Sequence, residues 1–124
     1  MDIETIVQNG VRIAVVRCDA PIMKDVTSAL DFVMSVKVET GCERIAVNKE
    51  SLVSDFFVLS TGLAGEILQK FTTYRIKFAI YGDLTQYTAT SKPLWDFIYE
   101  SNTGTDVFFT STVEEAVIKL GRIV

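Results

Sequence analysis

The alternation of short apolar runs with helical stripes is the feature that most restricts the fold of this chain. Two apolar-rich runs, 3–8 and 11–17, flank Asn9-Gly10. Asn-Gly between such runs is a strong hairpin signal, because both residues tolerate positive φ. Three further apolar runs read as strands, at 44–48, 76–81 and 107–109. With helices between them, the pattern predicts an α/β domain of order β-β-α-β-α-β-α-β-α, with an N-terminal hairpin and a mixed, mostly parallel sheet.

The first two helices are predicted from apolar periodicity. After Pro21, a stripe at helical spacing predicts a helix that Gly41 ends. The stripe consists of Ile22, Val26, Leu30, Val33 and Val36. A second helix is predicted over 62–72. Gly65 inside that helix costs about 1 kcal/mol relative to alanine, so we expect a close neighbour to require it.

Capping residues predict the last two helices. Pro93 in a first turn predicts a helix through about Ser101. Ser111, with Glu114 three residues later, predicts a capping box for the final helix, which Gly121 ends. All helices are expected to pack on the sheet, on both faces or mainly on one.

Composition bounds the class of protein. The chain has 124 residues, which suits one domain with one core, and 48% apolar with 23% charged residues predicts a globular chain. The net charge of −4 and the scattered Lys and Arg argue against nucleic acid as a partner. No signal-peptide pattern opens the chain, and no apolar run is long enough to cross a bilayer. We therefore expect a soluble, cytoplasmic protein with no membrane partner.

Residue types exclude several kinds of chemistry. The absence of histidine excludes Ser-His and Cys-His nucleophilic machinery and His-ligated zinc. Cys18 and Cys42 are too far apart for a paired metal motif, and small buried apolar residues are favoured over a redox pair. Glu66 stands where a phosphate-binding loop would place its lysine, which excludes a nucleotide-hydrolysing P-loop. The sequence predicts neither a metal nor a cofactor.

Polar residues near the start of the second helix form the candidate site. Ser60, Thr61 and Gly62 stand where a helix N-terminus exposes unpaired N–H groups that attract anions. Ligand sites of parallel sheets lie beyond the carboxyl ends of the strands, where Asn48 and Asp83 are placed. The candidate residues for a ligand or a partner are Asn48, Asp55, Ser60, Thr61, Gly62, Leu63, Glu66 and Asp83. Each has an ordinary alternative when taken alone; Ser60 or Thr61, for example, could be an N-cap worth about 1 kcal/mol.

Two aromatic residues raise the question of self-association. Trp95 and Tyr99 lie four residues apart on one predicted helix face. Packing against the sheet is preferred for this pair over a partner surface. A homodimer through the same face, or through an exposed edge strand, is the alternative.

A long block of residues resembles a known family. The segment 55–71, together with Tyr74-Arg75, 80–83 and 96–102, is similar to a bacterial domain family of unknown function made of short stand-alone proteins. The resemblance covers nearly the whole chain. It implies no established activity.

A more distant resemblance concerns the order of elements and the segment 60–63. Both resemble the STAS domain of anti-sigma-factor antagonists (SpoIIAA-like proteins), and the resemblance implies a single STAS-like domain over 1–124. In that family a kinase phosphorylates the first hydroxyl residue of the motif, which falls on Ser60, and the same loop and helix dock the partner. Leu59 stands at the aspartate of the motif and Ala64 at its second glycine.

Two hypotheses for function follow. The first is a non-catalytic STAS-like regulatory module that docks a partner protein through the 54–70 loop and helix and is controlled by phosphorylation at Ser60 or Thr61. The second is a binder of a small anionic ligand, or a carboxylate-based enzyme, that uses the helix start at 60–62. The acid or base of that enzyme would be one of three carboxylates, Asp55, Glu66 and Asp83.

Overall fold

The computed structural model describes residues 1–123 and contains one five-stranded sheet flanked by helices. The strands are β1 (Asp2–Gln8), β2 (Val11–Arg17), β3 (Arg44–Asn48), β4 (Lys77–Tyr81) and β5 (Val107–Thr110). The helices are α1 (Val26–Thr40), α2 (Leu63–Thr73), the single turn α3 (Thr85–Thr88), α4 (Lys92–Thr103) and α5 (Val113–Leu120). Three short 3₁₀ turns join β3 to α2, at Lys49–Ser51, Ser54–Phe57 and Leu59–Thr61. The predicted α/β class is confirmed.

The hairpin and the sheet follow the predicted pattern. Asn9 and Gly10 have φ values of 55° and 78°, and Gln8 lies opposite Val11 across the turn. The strands lie in the order β1-β2-β3-β4-β5, with β1 antiparallel to β2 and the other neighbours parallel. The mixed, mostly parallel sheet is therefore confirmed.

Each face of the sheet has its own core. Right-handed crossovers between neighbouring parallel strands place their helices on one face, which carries α1, α2 and α4. Because side chains alternate along a strand, Ile45 and Val47 enter that core while Ala46 enters the other. The second face is covered by α5, through Ala116 and Leu120. The helices thus pack on both faces, three on one and α5 on the other.

The first helix starts later than its apolar stripe predicts. Ile22 and Met23 both donate their N–H groups to the Ser51 carbonyl at 3.0 Å, so this segment is extended rather than helical. Asp25 then caps α1 by accepting the Ser28 N–H at 2.8 Å, and this bond lowers the pKa of Asp25. Gly41 ends the helix as predicted, in the left-handed region. Pairing with a distant segment overrides the predicted helical conformation of Ile22, the first residue of the stripe, while the stripe from Val26 onward is helical.

The cap of the last helix lies one residue beyond the prediction. Thr112, not Ser111, accepts the Glu115 N–H at 3.2 Å and lies 3.3 Å from its Oε1. The reason is that β5 continues through Thr110, whose carbonyl accepts the Gly82 N–H. Gly121 follows the last residue of α5, as predicted.

Gly65 does not have the close neighbour that we predicted. A Cβ atom added there would meet no heavy atom within 4 Å, and its φ is not positive. We expect Gly65→Ala to raise the free energy of unfolding by about 0.5–1 kcal/mol, since alanine loses less backbone entropy in a helix. Urea denaturation followed by circular dichroism measures this change.

The matched control is Gly62→Ala in the same loop. Gly62 also faces open space, but its φ of 76° lies in the left-handed region that favours glycine. This second variant is expected to lose about 1 kcal/mol. A Gly65→Ala protein that is less stable than the wild type would show that an unrecognised contact needs the glycine.

The outer edges of β1 and β5 differ in whether their main-chain groups have hydrogen-bond partners. The Asn102 side chain accepts the Phe109 N–H at 2.7 Å and donates to the Phe109 carbonyl at 3.0 Å. This side chain therefore takes the place of a further strand at Phe109, one of the two residues of β5 whose main-chain groups point away from β4. The outer edge of β1 has no partner strand within residues 1–123.

Candidate functional site

Asn48 lies at the carboxyl edge of the parallel strands and is buried. Its Oδ1 accepts the Cys18 N–H at 2.9 Å, and its Nδ2 donates to the Cys18 carbonyl at 2.6 Å and to Oε1 of Glu50 at 3.2 Å. The side chain thus ties the end of β2 to the end of β3. Its polar atoms are used inside the protein and are not directed at a ligand.

A second hydrogen bond joins strands at the same edge, and it was not predicted from the sequence. The Tyr81 hydroxyl donates to the Val16 carbonyl at 3.0 Å, and burial raises the pKa of Tyr81. The register of the two neighbouring parallel strands could have indicated this role, since Tyr81 pairs with Asn48. Within residues 1–123, every buried side-chain nitrogen or oxygen has a hydrogen-bond partner. This edge is a closed polar network.

Both cysteines are buried and free, as the favoured interpretation predicted. Burial raises the pKa of the Cys18 thiol, which keeps it protonated and unreactive at neutral pH. Cys42 donates its thiol weakly to the Thr40 carbonyl. Both residues act as small apolar side chains in the core.

Asp83 reaches the same edge and starts a helical turn that was not predicted. Its Oδ1 accepts the Thr85 N–H at 2.9 Å and the Thr85 hydroxyl at 2.7 Å, and these bonds hold the pKa of Asp83 below its usual range. Lys49 donates its ammonium to the Asp83 carbonyl, and its stem crosses Gly82. Asn48 and Asp83 are therefore brought to one edge through Lys49. A carboxyl group with a lowered pKa is ionised at neutral pH and cannot act there as a general acid.

A concavity of about 200 Å³ lies beside Asp83, at the ends of β4 and β5. Trp95 lines it and is 53% exposed, and Tyr99, which is 61% exposed, stacks on Trp95 with ring centroids 5.5 Å apart. The prediction that this pair packs against the sheet is wrong. The stripe that faces the core is instead Leu94, Phe97 and Ile98. Its i, i+3, i+4 spacing was readable from the sequence and turns Trp95 and Tyr99 outward.

The loop before α2 is built from two consecutive 3₁₀ turns. The Thr61 hydroxyl lies 2.9 Å from the Asp55 carbonyl and 2.8 Å from that of Val58, and it accepts the Leu63 N–H at 3.2 Å. Thr61 therefore holds both turns and covers the first N–H of the helix. Ser60 is exposed and makes no side-chain hydrogen bond within residues 1–123.

The N-cap position of α2 is Gly62, with φ 76°, and not Ser60 or Thr61. A left-handed residue there reverses the chain between the last 3₁₀ turn and the helix. The ordinary alternative for these two residues, that Ser60 or Thr61 is the N-cap, is therefore wrong. Thr61 bonds to the first helical N–H from one position further out.

Aromatic packing anchors this loop. Phe56 and Phe57 are both buried, and Phe57 stacks on Tyr87 of α3 with centroids 4.7 Å apart. Above these rings the backbone presents Val58, which is 46% exposed, with Leu59 and Leu63 half-buried. We call the surface formed by Val58, Leu59, Ser60 and Leu63 the 58–63 face. The concavities described here lie elsewhere on the protein.

Glu66 is separated from the other candidates. It lies on the side of α2 next to α1, where it lines a groove of about 370 Å³ with Val26, Gln69, Lys70 and Thr73. The eight predicted residues thus fall into three places. Asn48 and Asp83 lie at the sheet edge, Asp55 and residues 60–63 lie in the loop, and Glu66 lies in the groove between helices.

Two further features are absent from the described residues. Residues 1–123 contain no group of three or more Cys, Asp or Glu side chains placed to hold a metal ion. No helix in this range has the length and hydropathy needed to cross a membrane.

Comparison with known families places the chain. Neither curated proteins nor solved structures gave a significant match. The model of a family described as a domain of unknown function, DUF4180, matches residues 8–120. That range runs from the last residue of β1 to the end of α5. The predicted membership of a family of unknown function is confirmed, and the chain belongs to the DUF4180 family.

Proposed function

We propose that this protein is a non-catalytic, STAS-like regulatory module that docks a partner protein through the 54–70 loop and helix. The observation that carries the proposal is the 58–63 face, where an exposed Ser60 lies among Val58, Leu59 and Leu63. Partner surfaces commonly combine apolar contacts with a polar rim. Within residues 1–123, every buried side-chain nitrogen or oxygen already has a hydrogen-bond partner in the protein.

The same face suits control by phosphorylation. A phosphate on Ser60 would add a charge of about −2 in the middle of exposed apolar residues and would oppose their burial against a partner. Ser60 is a better acceptor than Thr61, whose hydroxyl holds both 3₁₀ turns. We therefore assign the regulatory role to Ser60.

The STAS-like part of the proposal rests on architecture and position. An N-terminal hairpin followed by βα units in a sequentially ordered sheet agrees with the fold that the resemblance implies. Ser60 lies in the turn before α2, and the phosphorylated residue of the antagonists likewise precedes a helix.

The ligand or enzyme hypothesis has weaker support. The concavity beside Asp83 could hold a small group, but the ionised carboxylate would repel an anion. At the start of α2 the Thr61 hydroxyl already occupies the first N–H. Glu66 lies in a different groove, so the three carboxylates do not converge.

The test compares two valine-to-glutamate variants. Val58→Glu places a charge on the 58–63 face, and Val38→Glu places the same charge on exposed α1, away from that face. Proteins that copurify from a lysate of the source cells are quantified by mass spectrometry. We expect at least one of them to be lost with Val58→Glu and kept with Val38→Glu, and a tenfold or greater rise in its Kd when binding is measured with purified components.

Variants of Ser60 distinguish docking itself from its regulation by phosphorylation. Ser60→Glu should weaken the same interaction, while Ser60→Ala should leave it intact. If Val58→Glu retains every protein bound by the wild type, the docking proposal is wrong. If Val58→Glu removes the partner but Ser60→Glu does not, docking stands and regulation through Ser60 does not.

A further inference from the structure

The outer edge of β1 offers unused hydrogen-bonding groups at regular intervals. Gln8 and Val11 flank a two-residue turn, so they form a hydrogen-bonded pair of the hairpin. Because such pairs alternate along an antiparallel ladder, the even-numbered residues of β1 bond to β2. Ile3, Thr5 and Val7 therefore direct their N–H and C=O groups outward, away from the sheet.

This edge carries neither the lysine nor the proline that commonly prevents strand pairing, and its charged residues are Asp2 and Glu4. β1 is seven residues long. The three residues whose main-chain groups point outward are all β-branched, and none of them is lysine or proline. The opposite edge of the sheet is protected, since Asn102 bonds to Phe109 of β5. The protein thus covers part of one short edge of its sheet and leaves the longer edge at β1 open.

Apolar surface lies on both sides of the open edge. On one face Val7 is 64% exposed. On the other, Ile6 and Gln8 line a groove of about 370 Å³ with Val113, Val117 and Ile118 of α5. A strand added beside β1 would cover part of each surface in addition to forming main-chain bonds.

The sequence of β1 is complementary to itself in one register. With Thr5 opposite the Thr5 of a second copy, all seven residues of both strands pair in antiparallel fashion. Ile3 then faces Val7, Glu4 faces Ile6 and Asp2 faces Gln8, so no like charges are opposed. The outward groups of Ile3, Thr5 and Val7 also meet one another, as a hydrogen-bonded register requires.

Other registers are poorer. The outward groups remain paired only if the strand shifts by an even number of residues. A shift of two in one direction opposes Glu4 to Glu4 of the other copy and leaves two residues of each strand unpaired. The same shift in the other direction also loses two residues. Like charges directly opposite each other destabilise a strand pair.

We infer that β1 pairs with the β1 strand of a second copy about a two-fold axis at Thr5, which joins two five-stranded sheets into one. The occupant of the edge is a copy of this chain, because one register satisfies length, hydrogen bonding and charge together. The dimer leaves the 58–63 face free, and the inference is independent of the proposed function.

Sedimentation velocity over a range of concentrations tests the dimer. We expect a species of about twice the 13.8 kDa chain mass in the wild type. Thr5→Pro removes an outward N–H without removing a bond to β2, and Thr5→Lys opposes two ammonium groups at the axis. Each variant should raise the dimer dissociation constant at least tenfold, with an unchanged circular dichroism spectrum.

Cysteine cross-linking tests the register. Thr5→Cys places two thiols across the axis, where paired Cα atoms are about 5.5 Å apart, within disulfide range. Val7→Cys is the matched control on the same edge, because its thiols would be about 14 Å apart along the strands. Under mild oxidation the Thr5→Cys protein should form covalent dimers at least tenfold faster than Val7→Cys.

Three results would overturn the inference. The first is a wild-type protein that stays monomeric at all concentrations, even if its β1 edge binds a peptide of another protein. The second is a dimer that persists in both Thr5→Pro and Thr5→Lys. The third is equal cross-linking of the two cysteine variants. The third would show a dimer in another register or through another surface.

Discussion

Replacing Asn48 by leucine is expected to lower the free energy of unfolding by about 3 kcal/mol. The substitution removes both bonds to the backbone of Cys18 and leaves that buried N–H and carbonyl without partners, at about 1–3 kcal/mol each. Leucine has a similar volume, so a cavity contributes little. Urea denaturation followed by circular dichroism measures the change.

Asn48→Asp is the companion variant. The introduced carboxylate would still accept the Cys18 N–H but would face the Cys18 carbonyl and Glu50, so burial and repulsion raise its folded-state pKa. A raised folded-state pKa favours folding at low pH. The stability deficit relative to the wild type should be smallest below the unfolded pKa of about 3.9 and grow as pH rises through the folded-state pKa. A leucine variant that loses less than about 1 kcal/mol would mean that water replaces the side chain.

Phe71→Ala is expected to cost about 3–5 kcal/mol of unfolding free energy. Phe71 is fully buried, and its ring lies 4.7 Å from that of Phe78 on β4, centroid to centroid. Alanine would leave a cavity between α2 and the sheet. Because α2 also carries part of the 58–63 face, the variant should lose partner binding as it loses structure. Thermal and urea denaturation both measure the loss.

Tyr74→Ala is the control for this change. Tyr74 follows α2 and is largely exposed, so its truncation is expected to cost less than about 0.5 kcal/mol. If Phe71→Ala does not fold, Phe71→Leu provides a milder test with an expected cost of about 1–2 kcal/mol. Similar losses for the Phe71 and Tyr74 variants would show that the α2–sheet contact is not a principal source of stability.

Local signals were sufficient for most of the fold. The hairpin was predictable because Asn9-Gly10 accepts positive φ at both positions, and Gly41 ends α1 for the same local reason. Gly121 also follows its helix, but its φ is not positive, and a Cβ atom there would meet the side chain of the distant residue Gln8. Short apolar strands separated by helical stripes leave few alternatives to a mostly parallel sheet. These features depend on residues that are close in sequence.

Features that depend on distant residues were not predictable in the same way. The start of α1 is set by extended pairing between Met23 and the segment around Ser51, about thirty residues away. The candidate site was divided partly for the same reason, since Asn48 bonds to the backbone of the distant residue Cys18. The Thr61 bonds are local, but they depend on the 3₁₀ turns of the loop, which were not predicted. The surface position of Ser60 is consistent with its location in a loop, but its role stays a prediction.

The closure of the β5 edge by Asn102 has a consequence for how large an assembly can grow. A sheet with two open edges can recruit copies at both ends and extend into a filament. Here one edge is occupied by a side chain of the same molecule, so pairing through β1 uses the remaining edge of each copy. In the dimer that we infer, growth would end at two subunits, because the joined sheet would have a short β5 edge at each end whose Phe109 groups already bond to Asn102. Asn102 would then favour a finite assembly over an open-ended polymer, by occupying hydrogen-bonding groups that a third copy would need.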